Sequence, residues 1–327
     1  YLGCRFAAAV NSGTSGLHLC VRAMGIGAGD EVITTPFSFI ASTNCFLFEN
    51  ARPVFVDIDP DTWNIDPKRI EAAITPRTKA IVAVDVFGQP ADMDPIRTIA
   101  DRHKLRVIED SCEALGAEYK GRKAGRLGEV GVFGFYPNKQ VTTGEGGMVV
   151  TDDEELYRRI VSMRNQGRGD DGSWLAHVRM GYNFRLSDIN CALGIAQMRR
   201  LDEILANRRR AADYYLPRLR DIPRIRLQKI LPDCRISPFV MVIRLDDDYT
   251  REDRDRIMLA LKEKGIGTNN YFTPIHLQPF IREQFGYQPG DFPITEALSD
   301  RTLALPFFGQ ITEAQVDTVC RTLRSLL

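Results

Sequence analysis

Short apolar runs and amphipathic stretches alternate along the first part of the chain. Residues 6–10 read as a strand that stops at the polar turn Asn11-Ser12-Gly13-Thr14-Ser15-Gly16. Leu17, Leu19, Val21 and Met24 then mark a helix that closes near Gly25-Ile26-Gly27. The alternation continues with a strand over 31–35 ended by Pro36, a helix over 39–48, a strand over 54–58, and a helix over 67–74 capped by Asp66. A strand over 79–87, a helix over 93–103 and a strand over 105–108 follow, the last delivering Glu109 and Asp110 at its carboxyl end. Residues 129–135 and 148–150 read as two further strands. This order predicts an α/β protein with three α/β/α layers around a mostly parallel sheet covered on both faces. Such sheets bind ligands outside the carboxyl ends of their strands. Thr14, Phe39 and Asp110 all stand just beyond those ends.

The pattern changes in the last third. Residues 187–219 read as one or two long helices. A strand over 239–245, a helix over 251–264 ended by Gly265, and a closing amphipathic helix over 312–326 follow without strict alternation. We therefore expect a large ligand-binding domain over 1–210 and a smaller α+β domain over 211–327. The 327 residues agree with that count, at ~150 residues per domain. Residues 165–172 form a polar loop. Arg199, Arg200, Arg208, Arg209 and Arg210 crowd one stretch. They read as a solvated face balanced by Asp202, Glu203 and Asp213, with a contact to a substrate diphosphate as the alternative.

Charge and cysteines narrow the function classes. Lys+Arg and Asp+Glu both number 43, so the net charge is zero, which argues against a generally basic nucleic-acid binder. Seven cysteines, at 4, 20, 45, 112, 191, 234 and 320, show no CxxC pairing. Reduced thiols in a cytoplasmic protein fit this spacing better than disulfides or a zinc site. No apolar run approaches ~18 residues and no signal peptide is visible, so no membrane span is expected. The chain begins at Tyr1 rather than at a methionine, and a preceding N-terminal segment is expected.

One stretch gathers the candidate chemistry. The strand over 129–135 runs into Tyr136-Pro137-Asn138, then Lys139, then Gln140-Val141 and the segment Thr142-Thr143-Gly144-Glu145-Gly146-Gly147. A lysine on a tight loop between two buried strands is costly unless it is paired or neutral. Taken alone it reads as a solvated loop lysine, with a covalent cofactor amine as the alternative. Asn11-Ser12-Gly13-Thr14, between a strand and a helix, reads as a plain N-cap turn or as a phosphate site on exposed amides. It is neither a Walker loop nor a GxGxxG turn.

A strand, a short turn, a lysine and then Thr-Thr-Gly-Glu-Gly-Gly resembles the DegT/DnrJ/EryC1/StrS sugar aminotransferase family, and the resemblance runs from Phe6 to the Leu305-Pro306 region. It implies the aspartate-aminotransferase-like fold (fold type I) and pyridoxal 5'-phosphate as cofactor, with pyridoxamine 5'-phosphate as its aminated form. By the same resemblance Lys139 is the catalytic lysine. Gly13 and Thr14 bind the cofactor phosphate, and Phe39, in Thr34-Thr35-Pro36-Phe37-Ser38-Phe39, covers the cofactor ring. Asp110, in Ile108-Glu109-Asp110-Ser111, meets the ring nitrogen. Asn183, in Gly181-Tyr182-Asn183-Phe184-Arg185, reaches the cofactor phosphate of the other subunit of a homodimer with shared sites. His276, in Pro274-Ile275-His276-Leu277, lies near the sugar.

Two positions depart from the family pattern. Gly134 stands where a phosphate-binding Ser is usual, and Glu113, a cofactor contact, stands where His or Gln is usual. The implied substrates are a nucleotide-linked keto-sugar and an amino-acid donor, L-glutamate. A cofactor-dependent sugar dehydratase and a non-catalytic relative of the same fold are the rival readings.

Overall fold

The structure, a computed structural model, describes residues 1–169 and 175–327. Asp170, Asp171 and Gly172 of the polar loop lie outside the described residues. Chain order gives the strands β1 (Phe6–Val10), β2 (Glu31–Thr34), β3 (Arg52–Phe55), β4 (Thr78–Val84) and β5 (Arg106–Asp110). The short β6 (Glu118–Tyr119) and β7 (Arg122–Lys123) follow, then β8 (Val130–Gly134) and β9 (Gly147–Thr151). Seven of these form one sheet in the order β1-β9-β8-β5-β4-β2-β3. β3, β2, β4, β5 and β8 pair in parallel, while β9 pairs antiparallel with both β8 and β1. Every strand except β9 therefore ends on the same edge, and β9 begins there.

Helices lie against this sheet as the alternation predicts. The helix Gly13–Ala23 starts where Ser12 accepts the N–H of Ser15 at 3.0 Å. It is buried from Gly16 to Val21, against β8 and β9 on one side and the helix Ala41–Leu47 on the other. Each fully buried leucine here, such as Leu17 or Leu19, contributes about 1.5–3 kcal/mol. Asp66 caps Pro67–Ile70 by accepting the N–H of Lys68, as its position predicts.

Two strands differ from their expected bounds for a common reason. The strand expected over 54–58 is β3, two residues earlier. The run expected over 79–87 ends at Val84, because Val86 and Phe87 are buried in a 3-10 turn in which Phe87 takes a φ of 58°. Apolar character there reports burial, not pairing. The two long helices are Asp188–Arg199 and Leu201–Arg220.

The C-terminal region adds β10 (Ile225–Arg226), β11 (Cys234–Arg235), β12 (Met241–Leu245) and β13 (Thr302–Leu305). β10, β12 and β13 form a second, antiparallel sheet. The helices Arg251–Glu263 and Glu313–Arg324 cover it. Its core joins Ala211, Tyr215 and Leu219 to Ile243, Leu261 and Val316, while Leu201 packs with Leu115 and Phe133 of the first region. The division we propose at 210/211 thus falls within one helix that reaches into both cores.

A buried acid pair lies beneath the sheet's carboxyl edge. Asp85 and Glu109 are both fully buried. Glu109 accepts the N–H groups of Gly125, Leu127 and Gly128 at 2.7, 2.7 and 3.2 Å. Asp85 accepts from Ser111 Oγ at 2.7 Å and from Ala91 N at 3.0 Å. Burial, and after it the charge of Glu109, raise the Asp85 carboxyl well above the usual range. Burial raises Glu109 too, but the three amides hold it down, so within the pair Asp85 is the more readily protonated.

A raised folded-state value stabilises the fold fully below the unfolded value, about 3.9, and that stability is lost as pH rises through the folded value. Asn at position 85 keeps a donor and does not titrate. The melting temperature of Asp85→Asn relative to wild type is therefore expected to rise as pH increases from about 5 toward the raised folded-state value of Asp85. A difference that stays flat across that range would show that Asp85 does not hold the proton.

Candidate active site

The common strand edge brings the sequence's candidate residues together. A cavity of about 410 Å³ is lined by Ser12, Gly13 and Thr14 after β1, Ser38 and Phe39 after β2, and Asp110, Cys112 and Glu113 at and after β5. Gly134 at the end of β8, Tyr136, Asn138 and Lys139 after it, Glu145 and Gly146 before β9, and the apolar Leu17, Ala41 and Val84 complete the large-domain wall. The remaining wall is Phe239, Tyr271 and Phe272.

The loop carrying Lys139 is fixed at both ends. Lys139 N–H donates to Tyr136 O at 3.0 Å, and Phe135 and Thr143 bond across the loop. The Gly146-Gly147 pair permits a close approach: a Cβ on Gly147 would lie 2.8 Å from the backbone of Ser12 and Gly13. A Cβ on Gly13 would lie 2.8 Å from Cys112 Sγ. The turn at the start of helix Gly13–Ala23 is thus pressed against β8 and β9 at the cavity wall.

Lys139 Nζ lies 3.4 Å from Glu113 Oε1 and 4.2 Å from the centre of the Phe239 ring. The other carboxylate oxygen of Glu113 accepts the N–H of Phe87 at 2.9 Å. Burial pushes the Glu113 carboxyl up, against the pull of Lys139. Asp110 is also buried and pushed up by burial. Its bonds to Cys112, at 3.2 Å to the N–H, and the charge of Lys139 act the other way. A buried carboxylate with so little local compensation is suited to a cationic partner in the cavity. Phe39 offers the cavity a ring that is 64% exposed, a free aromatic face.

Two expected site residues lie elsewhere in the chain. Asn183 is exposed and bridges to Asn165; it does not line this cavity. His276 is fully buried, and its Nε2 is 3.0 Å from Glu296 Oε1, with the ring edge-on to Phe292. It does not line this cavity either. Glu296 also accepts the N–H of Gly290 at 2.9 Å, so His276 here fastens a loop.

Among the five arginines, Arg199, Arg200, Arg209 and Arg210 are exposed as expected. Arg208 is 8% exposed and donates to Pro238 O and Phe239 O at 2.9 and 2.6 Å. Burial pushes its guanidinium down to about 10. None of the five lines the cavity.

Sequence reasoning missed Phe239, Tyr271 and Asn138. Asn138 had a signal, since it directly precedes the lysine. Phe239 had none, because nothing local says that the entry to a small-domain strand reaches Lys139. Among the described residues no cluster of His, Cys, Asp or Glu is placed to hold a metal ion. No described helix is long and apolar enough to cross a membrane.

The profile of the DegT/DnrJ/EryC1/StrS aminotransferase family matches residues 1–324. The chain is 40% identical to GDP-perosamine synthase of Caulobacter vibrioides, over all of this chain and 87% of that one. The fold superposes on S. venezuelae DesV with a TM-score of 0.93 at 35% identity, covering 99% of this chain and 85% of that one. It superposes on the PMP-form of Spr1654 from Streptococcus pneumoniae with a TM-score of 0.95 at 27% identity, covering 100% and 88%. With the lysine, the strand-end aspartate and the glycine turn gathered in one cavity, the chain belongs to the DegT/DnrJ/EryC1/StrS aminotransferase family and is a pyridoxal-phosphate-dependent aminotransferase.

Proposed function

We propose that the enzyme moves an amino group from L-glutamate to a nucleotide-linked keto-sugar, as a step of amino-sugar or polysaccharide synthesis in the cytoplasm. The observation that carries this is one cavity lined by a mostly buried Lys139, an under-compensated buried Asp110 and the turn Ser12-Gly13-Thr14 at a helix N-terminus. Pyridoxal phosphate supplies an electron-accepting ring for the electrons of a broken C–H bond.

The chain's residues fit that group. The amides at Gly13 and Thr14, at a helix N-terminus, suit its phosphate. Phe39 covers a ring face, Asp110 pairs with the ring nitrogen, and Glu113 stands beside Lys139. Lys139 anchors the cofactor through its amine and, once released, carries the proton between donor or acceptor carbon and cofactor. The reading is tested by supplying glutamate with a panel of nucleotide keto-sugars and weighing the products. Absence of an amino-sugar from every member would reject it.

A homodimer with shared sites belongs to the same proposal. The helix Asp188–Arg199 has no buried residue, yet Ile189 is 83% and Ile195 55% exposed, as are Val178 and Met180 nearby at 58% and 66%. Large apolar side chains left this exposed, on a helix with no buried residue, are what a protein interface would cover. It adjoins Asn183, and Asn190 ties the helix to the cavity rim by donating to Glu145 O at 3.1 Å. In a two-fold dimer each partner's Asn183 would then complete the other's phosphate site. Mixing inactive Lys139→Ala chains with impaired Asn183→Ala chains is expected to restore about half of wild-type activity per heterodimer, since one of its two sites is intact, and so about a quarter in a statistical mixture. No recovery after verified subunit exchange would rule out sharing.

A further inference from the structure

Lys139 has two partners at its nitrogen: the Glu113 carboxylate at 3.4 Å and the face of the Phe239 ring at 4.2 Å. The ring is held with unusual care. Phe239 is 1% exposed and ends the segment Ser237-Pro238-Phe239, which leads into the second sheet. Each residue of that segment is fastened. Ser237 donates its N–H to Gly88 O at 2.9 Å and its hydroxyl to Leu115 O at 2.6 Å, while Gln140, next to the lysine, donates to Ser237 O at 3.2 Å. Arg208 donates one nitrogen to Pro238 O and another to Phe239 O. Among the described residues no carboxylate pairs with Arg208, so its buried charge serves those two carbonyls and the Phe307 ring 5.2 Å away.

We propose that Phe239, clamped by Arg208, forms with Glu113 a seat for the free Lys139 ammonium, occupied whenever the lysine is not bonded to the cofactor. The proposal rests on Lys139 being the cofactor lysine. A mostly buried ammonium, its side chain 15% exposed, needs compensation, and an aromatic face supplies it more strongly as water is excluded. Bonding to the cofactor empties the seat. The ammonium would lose one proton to solvent, its nitrogen would form a C=N bond to the aldehyde carbon, and its two remaining hydrogens would leave with the aldehyde oxygen as water, with no change of oxidation state. Binding of the amine form of the cofactor leaves the lysine free and the seat filled. The seat therefore opposes capture of the aldehyde form and does not oppose binding of the amine form.

The experiment measures dissociation constants of the cofactor-stripped full chain for pyridoxal phosphate and for pyridoxamine phosphate, by absorbance, at one pH. Phe239→Leu is expected to tighten pyridoxal phosphate relative to pyridoxamine phosphate by about 2- to 30-fold. Phe239→Tyr keeps the ring and is expected to keep the wild-type ratio. Arg208→Lys loses the two-nitrogen fork and is expected to move the ratio in the direction of the leucine variant. A purely structural role would shift both constants together. Should the leucine variant fail to fold, Phe239→Met reads the same ratio. A ratio unmoved by removing the ring, or moved equally by the tyrosine variant, overturns the seat. A wild-type chain that binds neither form overturns the cofactor reading and the seat with it, whereas binding of both forms with an unmoved ratio overturns the seat alone.

Discussion

Replacing Lys139 with alanine is expected to lower amino transfer at least about 10³-fold, with the cavity and the fold retained. The lysine is asked for two things that no other residue lining the cavity supplies at that place. It must be a nucleophile toward an aldehyde, and after release it must move a proton. Asn138 and Tyr136 flank it on the loop, but an amide and a phenol cannot form the covalent link. Lys139→Arg separates chemistry from charge. A guanidinium keeps the positive charge near Glu113 and Asp110 but is neither nucleophilic nor a usable base, so this variant is expected to be as inactive as the alanine variant. Activity in the arginine variant above about a tenth of wild type would mean that charge alone suffices, against the demands of nucleophilic catalysis.

The same residue separates amination from dehydration. The resemblance associates sugar dehydration with histidine at the lysine position. A histidine moves protons but forms no covalent link through which an aminated product is released and the cofactor recovered. Lys139 stands here with Thr142-Thr143-Gly144-Glu145-Gly146-Gly147 behind it. The expected product therefore carries a new nitrogen and keeps its hydroxyl groups. Product mass decides this, and a deoxy keto-sugar would move the enzyme to the rival class.

Much of the site was legible because a parallel sheet converts sequence order into position. Once the strands over 6–10, 31–35 and 105–108 are recognised in a parallel sheet, their carboxyl ends share an edge. Gly13, Phe39, Asp110 and Lys139 then meet in one cavity without any knowledge of tertiary contacts. Glu113 was legible for the same reason, three residues past a strand end, although its bond to the Phe87 amide was not. What stayed hidden depends on pairing across long stretches of chain. Phe239 reaches Lys139 only because Arg208 and Ser237 fasten its segment, and these bonds leave no periodic trace. Arg208 sat in an arginine-rich run whose other members are exposed, so its burial was masked by its neighbours. His276 had a motif around it but is buried against Glu296. Burial of one histidine is decided by packing that sequence periodicity does not encode.

Removing the Asp110 carboxylate is expected to slow amino transfer by about 10²–10³-fold while the cofactor is still captured by Lys139. Asp110 is 7% exposed at the end of β5, with the Cys112 amide as its hydrogen-bonded backbone partner. Burial disfavours its charge, so beyond the bonds to Cys112 and the charge of Lys139 any further compensation comes from what enters the cavity. A protonated ring nitrogen is such a partner, and the pair strengthens in the step that places electrons in the ring. That is the condition for lowering the barrier and not merely tightening binding.

The competing account is that Asp110 acts through Lys139, whose charge it feels. The two accounts part in the variants Asp110→Ala and Asp110→Asn. If Asp110 works on the ring, both variants hold a full complement of cofactor and capture it at the wild-type rate, and the loss appears in a single turnover with glutamate. If it works on the lysine, capture itself slows and single-turnover transfer in the loaded protein stays near wild type. Fully loaded Asp110→Ala protein that transfers its amino group at the wild-type rate would end the ring assignment.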